Sequence, residues 1–143
     1  MIYLGTDHAG FALKEVIKIF LDELGLEYKD FGAKQFDKDD DYPDFISPVA
    51  LEVSEDKSAK GIIFGGSGQG EAMVANRVRG IRAIVYYGGN LEIIKLSRQH
   101  NDANILSLGA RFLSEEEAKE TVKLWLKTEF SQDARHIRRI SKF

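Results

Sequence analysis

Short apolar runs and helically spaced apolar stripes take turns along the chain. Residues 2–4 form a run that suits a buried strand. Leu13, Val16, Ile17, Phe20, Leu21 and Leu24 then recur at helical spacing, and Gly25 marks a stop. Residues 26–31 predict a second strand. Residues 43–53 predict a helix with Phe45, Ile46, Val49, Ala50 and Val53 on one side. A third strand is expected at 61–64, with a helix-compatible segment at 71–78. A fourth follows at 81–86, a helix at 90–97 and a fifth strand at 105–108. Ser114 opens the next helix with Glu117 three residues on, the spacing of a capping box, and Ala118, Val122, Trp125 and Leu126 give it an apolar stripe. Residues 133–140 predict a short closing helix. Alternation of this kind implies an α/β fold, a five-stranded parallel sheet with helices on both faces. No repeat, low-complexity segment or linker interrupts it. The charged run at 34–41 predicts a solvated loop.

Composition narrows the function classes. A chain of 143 residues, 43% hydrophobic and 30% charged, fits one globular domain. The net charge of −3 argues against nucleic acid as the main partner. The absence of cysteine excludes a disulfide framework, a thiolate metal site and a cysteine nucleophile. The N-terminal residues lack a basic start and a long apolar core, so no signal peptide is expected. No apolar run approaches membrane-spanning length. A cytoplasmic location is the expectation.

The chemistry concentrates at Gly66-Ser67-Gly68-Gln69-Gly70-Glu71, where the third apolar run ends in glycines and a helix begins. Such a turn lets backbone approach a ligand closely and aims unsatisfied N–H groups at it. Gly66, Gly68 and Gly70 do not match a Walker loop or a dinucleotide fingerprint, and Ser67 lacks the flanking glycine of a nucleophile elbow. The loop carries a hydroxyl, Ser67, and a carboxylate, Glu71. A carboxylate beside preorganised N–H donors suits proton abstraction next to a carbonyl. The bland alternative is a tight turn with a glutamate that suits the helix dipole.

Ligands of open α/β sheets bind at the carboxyl ends of the strands. Asp7 and His8 follow the first strand and Arg111 follows the fifth, which puts them on the same rim as the loop. Asp7 could equally be a helix cap. His100 and Asn101 lie in a polar stretch that also suits a simple turn. Because His100 precedes the fifth strand, it is expected at the opposite edge from the glycine loop, where it could serve a site in a partner subunit. Arg135 and Arg139 share a helix face, an arrangement that suits a phosphate or a solvated basic tail. Tyr42 could contact a ligand or anchor its loop.

These motifs fall together in a known order. Thr6-Asp7-His8-Ala9-Gly10-Phe11, Asp41-Tyr42-Pro43-Asp44, the glycine loop, Ala75-Asn76-Arg77, Gly80-Ile81-Arg82-Ala83, Ser97-Arg98-Gln99-His100-Asn101-Asp102-Ala103-Asn104 and Ala134-Arg135-His136 resemble the type B ribose-5-phosphate isomerases, a branch of a larger family that includes galactose-6-phosphate isomerase subunits. The resemblance implies a Rossmann-like three-layer α/β/α sandwich over residues 1–143. It implies a homodimer or a dimer of dimers with shared active sites, and residues 130–143 are expected to pack on the partner. It implies interconversion of ribose 5-phosphate and ribulose 5-phosphate with no metal and no cofactor. On the matching positions, His100 resembles the ring-opening histidine with Asp7 assisting, Glu71 the base, and Ser67 with the loop N–H groups the enediolate donors. Asn101 and Tyr42 match sugar-hydroxyl contacts; His8, Arg111, Arg135 and Arg139 match the phosphate set. The chain departs from the branch that uses a cysteine base, because Gly65 stands at that position. Three rival functions are weighed against this one: an isomerase of a six-carbon phosphosugar such as allose or galactose 6-phosphate, against which the His8 and Arg111 pattern favours the ribose branch; a phosphosugar-binding regulator without turnover, which would not need Glu71, Ser67 and His100; and a flavodoxin-like nucleotide-binding module, against which the missing nucleotide fingerprint counts.

Overall fold

The computed structural model describes all 143 residues. Its centre is a five-stranded sheet in the order β2-β1-β3-β5-β4, with every pairing parallel. The strands are β1 (Ile2–Thr6), β2 (Tyr28–Asp30), β3 (Lys60–Gly65), β4 (Ala83–Tyr86) and β5 (Ile105–Gly109). The helices are α1 (Phe11–Glu23), α2 (Pro43–Glu55), α3 (Gln69–Ala75), α4 (Glu92–Gln99), α5 (Glu115–Lys127) and α6 (Ala134–Ile140). A single 3-10 turn, His8–Gly10, links β1 to α1.

Strands buried on both faces need apolar residues at successive positions, and the alternation of side chains then divides them between two cores. Leu4, Ile62, Phe64, Leu106 and Leu108 pack on one face, beneath α1, α4 and α5. Ile63 and Ile105 turn to the other, beneath α2 and α3. Val122 and Trp125 seat α5 and are fully buried; truncating Trp125 to alanine would cost about 3–5 kcal/mol. The capping box expected at Ser114 is present, with Glu117 N–H donating to Ser114 Oγ at 3.2 Å and Ser114 N–H donating to the Glu117 carboxylate at 2.8 Å.

The chain runs from β1 outward to β2, then crosses to β3 on the other side of β1. That reversal leaves a crevice at the carboxyl ends of β1 and β3. Register levels the rim, since Thr6 pairs with Phe64 and Gly65 with Gly109. Lys14 occupies the buried face of α1 and is fully enclosed. Its ammonium donates to Asp30 at 2.6 Å and to the Ala33 carbonyl at 2.7 Å, fixing the start of the loop from β2 to α2.

Several boundaries differ from the sequence expectation for local reasons. β2 is a three-residue edge strand rather than 26–31, because its register with β1 begins at Tyr28 and Leu26 is exposed. α3 begins two residues early and stops at Ala75. The Asn76 amide there exchanges hydrogen bonds with the Ala83 backbone and turns the chain. β4 starts at Ala83 rather than 81, since the Arg82 N–H is taken by the Asn104 side chain at 2.7 Å. α4 starts at Glu92, whose N–H donates to Asn90 Oδ1 in an Asx turn, and runs on to Gln99.

Candidate active site

At the crevice, Asp7, His8, Tyr42 and Arg111 face Gly66, Ser67, Gly70 and Glu71 across a cavity of about 390 Å³. Eight of the thirteen site residues expected from sequence therefore meet in one place, and Gly68 shapes the same loop. β5 holds that loop from behind. Ala110 N–H donates to the Gly65 carbonyl at 2.8 Å, Arg111 N–H to that of Gly66 at 3.1 Å, and Ser107 Oγ to that of Gly68 at 2.7 Å. With the carbonyls so engaged, the N–H groups of Ser67, Gly68, Gly70 and Glu71 find no backbone acceptor. Gly68 caps α3 with φ +78°, a left-handed conformation that a side chain would strain. The Tyr42 hydroxyl packs against Gly70, and the Arg111 guanidinium lies over Gly66. Ser67 is exposed at the loop tip.

Glu71 stands in the first turn of α3 and is 5% exposed. Its carboxylate folds back over the end of β3 and fills the volume that a side chain at Gly65 would need. A base on residue 71 and a side chain on residue 65 are thus mutually exclusive here. Burial pushes the Glu71 carboxyl above the ordinary carboxylate value, its own N–H opposes this, and the neighbouring charge of Asp7 adds to the rise.

Asp7 is 6% exposed and accepts the Ala9 N–H at 2.9 Å, capping the 3-10 turn as the bland expectation had it, while still lining the cavity. His8 is half-buried. Its backbone N–H and its Nδ1 both meet Asp40 Oδ1, at 2.9 and 2.7 Å. The charged run at 34–41 is therefore not wholly a solvated loop: Lys34 to Asp39 are exposed, but Asp40 turns inward. Sequence reading missed Asp40 because nothing in a run of three aspartates distinguishes the one that reaches a residue 32 positions away. Asp7, His8 and Asp40 gather ligand-type atoms within 4.8 Å of one another. The hydrogen bonds just described account for that gathering without an ion.

The other four expected residues lie elsewhere. His100 caps the end of α4, at the far end of β5 from the glycine loop. β5 alone separates the two levels by roughly 13 Å, at about 3.3 Å per residue. The His100 ring stacks on His136 of α6, with centroids 4.3 Å apart and planes 17° apart. Asn101 beside it is exposed, as are Arg135 and Arg139 on α6. His136 is 4% exposed; burial, with His100 and the arginines nearby, pushes its imidazole below the ordinary value. Other polar residues of this stretch serve structure. Arg98 is buried and donates to Asp102 at 2.8 Å and to the Ala103 carbonyl at 2.6 Å, and Arg82 binds Asp102 from the other side at 2.9 Å. A cavity of about 410 Å³ under α6 includes Arg82 and Asp102, but their charges are spent on each other.

Known proteins resemble the chain over nearly its whole length. Residues 2–143 match the family described as Ribose/Galactose Isomerase. The chain is 40% identical over 139 residues to ribose-5-phosphate isomerase B of Mycolicibacterium paratuberculosis, covering 97% of this chain and 86% of that one. It is similar to the structure of ribose-5-phosphate isomerase B from Mycoplasma genitalium with bound ribulose-5-phosphate (TM-score 0.93, 37% identity, 99% of this chain and 91% of that one). It is also similar to the Clostridium thermocellum ribose-5-phosphate isomerase B (TM-score 0.92, 42% identity, 99% and 93% covered). No helix is long and apolar enough to cross a membrane.

Proposed function

The chain belongs to the ribose/galactose isomerase family, and from that premise we propose that it interconverts ribose 5-phosphate and ribulose 5-phosphate through an enediolate. The observation that carries the proposal is the Glu71 carboxylate, buried over the end of β3 beside a loop whose N–H donors find no backbone acceptor. A carboxyl raised by burial is a stronger base once ionised, and it stands within one cavity of Ser67.

In this mechanism the cyclic sugar opens first. His100 takes the proton of the anomeric hydroxyl, and Asp7 assists from the other side of the sugar. An imidazole suits this step because it titrates near neutral pH. Glu71 then removes the proton from the carbon beside the carbonyl, and charge develops on the carbonyl oxygen. Ser67 and the loop N–H groups stabilise that oxyanion; removing one oxyanion-hole donor from an enzyme typically raises the barrier by about 2.7–4 kcal/mol. Glu71 returns the proton to the neighbouring carbon. Tyr42 and Asn101 hold sugar hydroxyls. His8 and Arg111 grip the phosphate from the rim, and Arg135 and Arg139 close on it.

His100, Asn101, Arg135 and Arg139 stand too far from Glu71 to act within one subunit, so the proposed enzyme is a homodimer, alone or paired into a dimer of dimers. Each site combines the rim of one protomer with the His100 and α6 region of its partner. Residues 130–143 pack across that interface, which would cover Ile137, 50% exposed in the single chain.

A coupled assay of ribose 5-phosphate conversion, run in excess chelator, tests the proposal. Turnover to ribulose 5-phosphate is expected. No turnover by folded protein would overturn the five-carbon assignment, and the same assay with allose or galactose 6-phosphate would then decide between a six-carbon isomerase and a phosphosugar binder.

A further inference from the structure

The loop between β2 and α2 closes around His8 from two directions. Phe36 meets the imidazole edge-on, with ring centroids 6.1 Å apart. Asp40 approaches the other side with a single oxygen, Oδ1, which accepts the His8 backbone N–H at 2.9 Å and contacts Nδ1 at 2.7 Å. A carboxylate oxygen can only accept, so Nδ1 carries a proton and Nε2 is the nitrogen left for a ligand. Asp40 Oδ2 is buried with no hydrogen-bond partner. A buried carboxylate with an empty oxygen is costly unless a cation sits against it, and the group in contact with it is the His8 imidazole.

We infer that Asp40 is the positioning residue for His8: it fixes the ring rotamer and the Nδ1 proton, so that Nε2 is turned to the phosphate of the substrate and donates its N–H there when the ring is an imidazolium. The assignment of a phosphate to this end of the cavity rests on the isomerase proposal above. Geometry and electrostatics agree. The Asp40 hydrogen bond holds the His8 imidazole above its ordinary value, against partial burial; Asp7, 3.9 Å away, adds to the rise, and Arg111 across the cavity opposes it. The raised value means that the imidazolium persists to higher pH than in a free histidine. Phosphate recognition should therefore survive into the neutral range in which a lone histidine discharges. The same pair anchors the loop that leads into Tyr42.

Asp40→Asn tests this: the amide oxygen can still accept both N–H groups, the charge is lost, and the amide nitrogen takes the place of the unpartnered Oδ2. In wild type and variant, the His8 ring resonance would be titrated by NMR, and binding of inorganic phosphate measured at about pH 5.5 and about pH 8, either side of the ordinary histidine value. The His8 titration is expected to move to lower pH in the variant. Phosphate binding is expected to weaken about tenfold at the higher pH, the size of one charge-assisted hydrogen bond, and to match wild type at the lower. In a His8→Asn background, Asp40→Asn should add no further loss. An unmoved titration, a deficit equal at both pH values, or an additive loss in the double variant would each overturn the inference. These readouts need no turnover. If the protein isomerises no sugar yet shows the pH-dependent deficit, the isomerase proposal fails and the Asp40–His8 pair stands.

Discussion

At the carboxyl ends of β1 and β3, groups from several loops converge on one cavity; at the opposite end of β5, a half-buried His100 stacks on the buried His136, and Arg135 and Arg139 of α6 stand exposed beside them. In the proposed enzyme the rim region supplies the base and an oxyanion donor, Glu71 and Ser67, and two phosphate ligands, His8 and Arg111. On that proposal it lacks the group that opens the sugar ring. The α6 region would supply that group as His100, together with two more cations, Arg135 and Arg139, but it has no glycine loop and no buried carboxylate base. Each region supplies what the other lacks, and the rigid sheet keeps them apart in one chain. In the proposed enzyme, dimerisation brings them together, so subunit contact is part of the chemistry rather than a stabilising addition.

The sharpest way to break the comparison is to disable the rim. Glu71→Gln is expected to lower kcat by about 10²–10⁴-fold, the usual contribution of a general base, while keeping the fold. The same change should raise Tm near neutral pH. The native carboxyl titrates above its unfolded value, so the folded state binds more protons between the two values and wild-type stability falls as pH rises through that window. A neutral amide escapes that loss. A melting scan beside the kinetic assay reads both effects, and near-wild-type kcat would remove Glu71 from its role.

Gly65→Ala should come next. Its methyl group would compete with the Glu71 carboxylate for one volume, and a base displaced by about 1 Å typically loses on the order of 10² in rate. Unaltered kcat would show that Glu71 works from another position. Arg135→Ala probes the other region and should fall mainly on KM, by about tenfold or more, as loss of a charge-assisted hydrogen bond does. An unchanged KM would leave α6 outside the phosphate site. The smallest effect is in the pH profile. The acid limb of kcat should lie above the ordinary carboxylate value, since activity is lost as Glu71 gains its proton on the way down. A limb at the ordinary value would point to a different base.

The two regions were unequally legible in the sequence. The rim could be read because its residues follow strands directly: Asp7 and His8 after β1, the glycine loop after β3, Arg111 after β5. In a doubly wound sheet, position after a strand fixes location. Glu71 stood out for its place beside the glycines, although its burial over Gly65 could not be foreseen. The far side could be read only in part. His100 was expected at the opposite edge because it precedes β5, and it lies there. Its stacking on His136, and the diversion of Arg98 and Asp102 into a structural turn, depend on how α4 and α6 meet. Asp40 was illegible for the same reason, since its partner is 32 residues away and the intervening loop has no periodicity. Lys14 shows the limit from the other direction, because a lysine on an apolar helix face gives no sign that Asp30 and Ala33 wait to receive it.

The central claim is that each site joins Glu71 of one protomer to His100 of another, and subunit complementation tests it most directly. Glu71→Gln and His100→Asn proteins, each impaired alone, would be mixed under conditions that allow subunits to exchange. In a symmetric dimer half the molecules become mixed, and each mixed dimer regains one intact site of two, so kcat should recover to about a quarter of wild type. A mixture that shows no more activity than the average of its parents, despite proven exchange, would contradict the claim and place all the catalytic groups within one chain.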